Sequence, residues 1–318
     1  MDKLKRHVII NPAAAAGATG KRTPKILALL ERHLGRDYTL FMTGKPGEAA
    51  RSARWAAGAG AELIVAVGGD GTLQEVVNGL FDDGRSRSPD CRLGVVNSGT
   101  GGGFAESLGL PRDIEGQVAM IARGGTRRID IGRAFYANGG PGASDRYFIN
   151  ECQAGIGGEV VRKVEARSKR GKRFGGRLAF GAGTLAAALS YPNQTVSVAV
   201  DDRPAGKQSL VAVIAANGSR MAGGMRLAPG ARLDDGLLDI LLIHEQSALE
   251  RLRNFPKIYS GKHIDLAGFS CFKARSISLS SERKIDFEAD GELWGTLPCR
   301  VEILPSALRV IGPNAAGD

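Results

Sequence analysis

Residues 61–80, AELIVAVGGDGTLQEVVNGL, constrain the fold of this chain more tightly than any other segment. Leu63, Ile64, Val65, Ala66 and Val67 form a continuous apolar run with no polar alternation. Such a run fits a strand buried on both faces, in a parallel sheet covered by helices. Gly68, Gly69 and Gly71 then turn the chain. Leu73, Val76, Val77 and Leu80 repeat at helical spacing, and Thr72 and Glu75 stand at the spacing of a capping box, so the helix is expected immediately after the glycines. At such a junction the glycines let backbone N–H groups approach a phosphate, and the helix N-terminus adds about half a positive charge. Asp70, at the tip, is placed to handle a metal ion or a transferring proton. Three glycines around an acid at the carboxyl end of a strand favour a ligand site over a merely tight turn.

The flanking sequence repeats this strand-then-helix rhythm. Strands are expected over 7–10, 38–42 and 93–96. Thr23 and Pro24 read as the N-cap and first position of a helix that carries Ile26, Leu27, Leu30 and Leu34 on one face, and a second helix spans 48–57. A second glycine loop, Ser98-Gly99-Thr100-Gly101-Gly102-Gly103, follows the 93–96 strand, and the two loops on one sheet edge would form a single trough for a nucleotide. Neither loop has Walker A or GxGxxG spacing.

After about residue 126 the period changes to two, as in Val196/Val198/Val200, Ile277/Leu279 and Ile285/Phe287, with hairpin signals at Asp235-Gly236 and Asp290-Gly291. Helical stretches near 159–168, 176–189 and 248–259 interrupt these strands. The expected fold is α/β plus β-rich: an N-terminal parallel-sheet nucleotide-binding domain over 1–130 and a C-terminal antiparallel, sandwich-like domain over 131–304. The last strand, within 305–318, returns to the first domain.

Lys and Arg total 43 against 33 Asp and Glu, a net charge of +10, which points to an anionic partner. The excess is local: between 162 and 177 stand Arg162, Lys163, Arg167, Lys169, Arg170, Lys172, Arg173 and Arg177 against Glu165. Nucleic acid is disfavoured, because aromatics make up only 6% and no recognised module accompanies the charge. A membrane surface fits better: basic residues meet anionic head groups at about 1 kcal/mol each. Cys91, Cys152, Cys271 and Cys299 are far apart and show no metal-ligand spacing. Asn11-Pro12 breaks the first apolar stretch, so it reads as a buried strand and not a signal peptide. The run 178–189 is too short to span a bilayer. The expected location is cytoplasmic, peripheral to the inner face of the membrane.

Taken together, the strand ending in Asn11-Pro12, GGDGT with its helix, the GTG…FA…LG loop, GGMRLAPGARLDDGLLDILLI (223–243) and DGELWG (290–295) resemble the diacylglycerol kinase catalytic domain. That superfamily includes sphingosine and ceramide kinases and bacterial lipid kinases. The resemblance covers nearly the whole chain and implies ATP-dependent phosphorylation of a lipid hydroxyl, diacylglycerol-like first of all. It implies ATP contacts at Asn11, Pro12, Ala13, Ala14, Ala15, Thr43, Gly68, Gly69, Asp70, Gly71, Thr72, Leu73, Gln74 and Thr100. It also implies magnesium held by the Asp235 carboxylate with the Arg232 and Leu237 carbonyls, as suits a hard cation. Glu292 matches the general base that accepts the proton of the attacking hydroxyl, and Asp70 assists through metal and phosphate positioning.

Two departures stand out. Gly102 and Gly103 replace the Asn and Asp usual in the family, with Glu75 and Asn78 as candidates to compensate, and the Ala13–Ala16 loop lacks a serine often found before its glycine. A sphingoid base, ceramide or NAD as acceptor remains open, as does a non-catalytic lipid- or nucleotide-binding role, and so does a homodimer.

Overall fold

A computed structural model describes residues 5–99, 101–137, 143–169, 187, 190–221 and 223–313. The chain is mixed α/β with a large antiparallel C-terminal region, and it divides into two compact units. Unit 1 is Met1–Ile131 with Leu304–Asp318, and unit 2 is Gly132–Ile303.

Unit 1 alternates strand and helix: β1 (Arg6–Ile10), α1 (Ala18–Leu34), β2 (Thr39–Met42), α2 (Glu48–Gly58), β3 (Leu63–Gly68) and α3 (Asp70–Leu80). A two-residue ribbon, β4 (Phe81–Asp82) with β5 (Arg85–Ser86), leads to β6 (Arg92–Asn97), α4 (Gly103–Leu108) and α5 (Ile114–Arg123). The strands pair in parallel in the order β2-β1-β3-β6, and Arg309 and Val310 of the last strand pair in parallel outside β6. As its apolar run requires, β3 is buried along its whole length. Its alternate residues Leu63, Val65 and Val67 pack with Ile26, Leu30 and Val118 from α1 and α5.

Two helix starts differ from the sequence expectation. Helix α1 begins at Ala18 and encloses Pro24, because the chain leaves β1 so tightly that the Gly20 N–H already reaches the Pro12 carbonyl at 3.0 Å. Helix α3 begins at Asp70 with no side-chain cap, so Thr72 and Glu75 form no capping box. Thr72 Oγ1 instead accepts from Asn11 Nδ2 at 2.9 Å, and Glu75 Oε2 accepts from the Ala49 N–H at 3.2 Å in the first turn of α2.

His7 ties β1 to its neighbours. Its Nδ1 lies 2.6 Å from Thr39 Oγ1 and its Nε2 2.7 Å from Ser52 Oγ, and burial lowers its pKa to about 4. The folded chain therefore stays unprotonated at His7 where the unfolded chain, near 6.5, takes up a proton. Unfolding free energy is expected to fall as pH drops from about 6.5 to about 4, with no further loss from this group below that window. Urea titrations of wild type and His7→Gln across the window would check this, the variant showing the shallower slope.

Unit 2 is antiparallel. Strand β7 (Thr126–Ala137) enters from unit 1 and pairs with β8 (Ala143–Phe148). It is followed by β9 (Glu151–Gly155), α6 (Ile156–Lys169), β10 (Gln194–Val200), β11 (Arg203–Ala216) and β12 (Leu238–His244). Then come α7 (Ala248–Ser260), β13 (Phe269–Ala274), β14 (Ser276–Ser280), β15 (Asp286–Ala289) and β16 (Glu292–Ile311), whose end lies in unit 1. The pairings β11–β9, β9–β15, β15–β16, β16–β14, β14–β10 and β10–β11 close on themselves, so these strands leave no mutual edge unpaired. Along β11 the expected period of two holds. Val213 and Ala215 enter the core with Phe148, Phe287 and Trp294, while Ile214 and Ala216 face a second cluster with Met221, Met225 and Leu241. The helical stretch expected over 176–189 lies outside the described residues, save for 187.

Candidate functional site

In unit 1 the carboxyl ends of the parallel strands gather most of the residues expected to meet a nucleotide. The β1 end carries Asn11, which uses both ends of its side chain: Nδ2 donates to Thr72 Oγ1, and Oδ1 accepts from the Ala13 N–H at 3.0 Å. The Pro12 carbonyl is taken by Gly20, and the chain continues through a 3-10 turn, Ala14–Gly17, in which Ala15 and Ala16 hold φ of 53° and 56°. Two successive alanines in the left-handed region are strained, a feature that clusters at ligand sites. Thr43 is buried where β2 ends, its N–H on the Ile10 carbonyl at 2.9 Å.

The two glycine loops touch backbone to backbone. Ser98 and Gly99 both donate to the Gly68 carbonyl, at 2.9 and 3.2 Å, and a Cβ on Gly99 would stand 2.6 Å from Gly69 Cα, so side chains are excluded from this seam. A small cavity here is lined by Gly68, Gly69, Asp70, Leu73, Val95 and Asn97. The side chains of Leu73 and Gln74 are buried, and the Leu73 N–H already donates to the Gly69 carbonyl at 3.1 Å. Thr100 lies outside the described residues.

Asp70 does not project freely from the tip. Its Oδ2 accepts from the Gly102 and Gly103 N–H groups, at 3.0 and 3.3 Å, so its charge sits at the N-terminus of α4. Burial raises its pKa, the backbone N–H groups of α4 pull it back, and the Glu106 charge adds to the rise. The backbone N–H groups of the two glycines partner the acid, as those of other residues at 102 and 103 would, and they put no carboxylate where the family usually has one. Glu75 is engaged with α2, and Asn78 Nδ2 donates to the Gln74 carbonyl of its own helix at 2.8 Å. Gly102 has φ of 72°, and a Cβ there would meet Asn97 Nδ2 at 2.4 Å, so the glycine suits both the turn and the packing. Asn97, which also accepts from the Gly99 N–H at 3.1 Å, and Thr19, whose hydroxyl lies 2.8 Å from Ser98 Oγ, belong to this loop system. Neither is marked by any motif in the sequence.

In unit 2, Asp290 and Gly291 form the expected two-residue hairpin turn, with φ of 49° and 84° and Ala289 opposite Glu292. Asp290 does more than turn. Its carboxylate accepts from three successive N–H groups, Ile149 at 2.9 Å, Asn150 at 3.0 Å and Glu151 at 3.1 Å. Glu288, fully buried across the sheet from Gln153, bonds its amide and accepts the Gly291 N–H at 3.0 Å. Burial raises the Glu288 pKa, against these bonds, and the neighbouring Asp290 charge raises it further. Glu292 is half exposed, 3.5 Å from Arg146 Nη2, and the Arg146 guanidinium lies 4.6 Å from the centre of the Trp294 ring. Arg146 also belongs to this group, and nothing in the sequence announces it.

The turn expected to hold magnesium is arranged otherwise. Asp235 Oδ1 accepts the Leu237 N–H at 3.1 Å, Asp235 Oδ2 is 2.8 Å from Lys273 Nζ, and Arg232 Nε lies 3.3 Å from Asp234. The same ammonium is 2.7 Å from Asp239 Oδ2. Arg232, Asp235 and Leu237 do not fit a divalent cation in this arrangement, because the Lys273 ammonium, 2.8 Å from Asp235 Oδ2, would repel a cation held on the only carboxylate in the set.

Of the basic segment 162–177, Arg162 pairs with Glu159 and with Asp286 at 3.2 Å, and Lys163 with Glu159 at 3.3 Å. These two cations are balanced within unit 2; residues 170–177, and the side chains from 164, lie outside the described residues. Among the described residues no helix is long and apolar enough to cross a membrane.

Residues 5–134 match the family described as diacylglycerol kinase catalytic domain, and residues 152–312 match the YegS C-terminal NAD kinase beta sandwich-like domain. Diacylglycerol kinase of Staphylococcus haemolyticus is 30% identical over 309 residues, which is 97% of this chain and 88% of the relative. That of Staphylococcus carnosus is 28% identical over 98% of this chain and 96% of its own. Among solved structures, a diacylglycerol kinase of Bacillus anthracis aligns over 100% of both chains, with a TM-score of 0.74 and 24% identity. An NAD kinase of Archaeoglobus fulgidus, in complex with ATP, aligns over 97% of this chain and 94% of its own, with a TM-score of 0.52 and 14% identity. These structural likenesses concern the fold.

Proposed function

The chain belongs to the diacylglycerol kinase catalytic-domain family and is a lipid kinase by that membership, and from this premise we propose that it transfers the γ-phosphate of ATP to the hydroxyl of a diacylglycerol-like lipid. The observation that carries the nucleotide part is the seam of the two glycine loops. Gly68, Gly69 and Gly99 leave backbone without side chains beside the N-terminus of α3, where N–H groups and the helix dipole favour a phosphate. Phosphoryl transfer asks the protein mainly for positioning and charge neutralisation. Asn11, Thr43 and the loop from Gly68 to Gln74 are the proposed nucleotide contacts, and Asp70 acts by fixing the second glycine loop against the first.

In the same reading Glu292 accepts the proton of the attacking lipid hydroxyl. Oxygen of that hydroxyl bonds to the γ-phosphorus as the bond to the β-γ bridging oxygen breaks, leaving a lipid phosphate and ADP. Arg146 holds a positive charge beside the carboxylate. The metal carried with ATP belongs to the substrate here. The acceptor is presented at an anionic membrane surface, a proposal that rests on the sequence charge of 162–177.

Transfer of labelled γ-phosphate from Mg–ATP to a mixed lipid extract in detergent micelles tests the reading, with sphingosine, ceramide and NAD as separate acceptors. Label in phosphatidic acid is the expected result. Label in NAD without lipid, or none with any acceptor, would remove it.

A further inference from the structure

The pair of carboxylates at the 235–239 turn is bridged by one cationic side chain from the neighbouring strand. Asp239 lies on β12 directly opposite Lys273 of β13 in the antiparallel register, the position where side chains of two strands meet. The Asp239 side chain is only 7% exposed, and an anion at that depth is costly without a partner. Asp235, on the turn that leads into β12, is 20% exposed. One ammonium serves both: Lys273 Nζ is 2.7 Å from Asp239 Oδ2 and 2.8 Å from Asp235 Oδ2, using two of its three N–H donors. Leu237 N–H, on Asp235 Oδ1, closes the turn from the other side.

We propose that Lys273 stands where a divalent cation would otherwise sit, as a tethered cation that holds the 232–237 turn to the β12–β13 edge, so that this chain needs no metal ion there. A magnesium ion on Asp235 would have to share its carboxylate with an ammonium of like charge. The lysine delivers one positive charge without a binding equilibrium. The stability of unit 2 is therefore independent of free divalent cation, whatever cation accompanies the nucleotide. The inference concerns folding and not catalysis, so its failure would leave the kinase reading untouched.

Thermal unfolding of nucleotide-free protein tests it, in EDTA and then in excess MgCl2, for wild type and Lys273→Met. The wild-type melting temperature is expected to be the same in both. Lys273→Met, which strands two carboxylates, is expected to melt roughly 5 °C lower in EDTA and to recover part of that loss with magnesium. A wild-type melting temperature that falls in EDTA and returns with magnesium would overturn the proposal. A folded Lys273→Met that ignores magnesium would overturn it equally, since the turn would then not be a cation site. If that variant does not fold, the wild-type comparison decides alone.

Discussion

Glu292→Gln is expected to lower kcat for lipid phosphorylation by about 10²–10⁴-fold, the contribution typical of a general base, with little change in the KM for ATP. The amide matches the carboxylate in size but cannot take the proton of the attacking hydroxyl. The structure makes the substitution a clean one. Glu292 is half exposed on the first position of β16, and its ion pair with Arg146, at 3.5 Å, is a partly solvated contact worth less than about 1 kcal/mol. The turn behind it is held by Asp290 and Glu288 through backbone N–H groups that the variant leaves alone. Urea unfolding should therefore coincide for the two proteins while initial rates diverge. Unchanged kcat in a variant of unchanged stability would remove Glu292 from the chemistry.

The parts of the site that sequence could reveal are those built from neighbours in the chain. The β3 run, its glycines and α3 lie within twenty residues, and both the burial of β3 and the helical face of α3 follow from residue type alone. The Asp290-Gly291 turn is legible for the same reason, since its backbone angles suit Asp and Gly. What fails is any inference about which donor meets which acceptor across the fold. Thr72 and Glu75 have the spacing of a cap, yet Asn11, from the end of β1, claims the hydroxyl, and α2 claims the carboxylate. Gly102 and Gly103 read correctly as a loss of polar side chains, but the sequence does not show that their backbone N–H groups meet Asp70. Lys273 is invisible for a further reason. Only the β12–β13 register puts it opposite Asp239, and a slip of one residue would turn it to the other face.

Asp290→Asn and Asp290→Ala should separate the hold on the Glu292 turn from the turn itself. Asn tolerates the left-handed angle of 49° at this position nearly as well as Asp, so the backbone preference is kept and the loss falls on hydrogen bonding. One amide oxygen can still accept from two of the three N–H groups at 149–151, while the NH2 faces the third, donor against donor. Unfolding free energy is expected to drop by about 1–3 kcal/mol for one unmet partly buried donor and the lost charge. Alanine leaves all three donors without this acceptor and sits badly in the left-handed region, for a loss of about 3–5 kcal/mol. The turn then keeps the backbone bond from the residue-290 N–H to the Glu151 carbonyl, at 3.0 Å, and the Gly291 N–H on Glu288, also at 3.0 Å. Since a displacement near 1 Å can cost about 10²-fold in a positioned reaction, kcat should fall in Asp290→Asn well beyond what its stability loss unfolds, with the KM for ATP unmoved. Denaturant titration together with steady-state kinetics at a temperature where both variants remain folded would show it. A variant that loses stability but keeps full kcat would mean that Glu292 is held by β16 and Arg146 without the help of the turn.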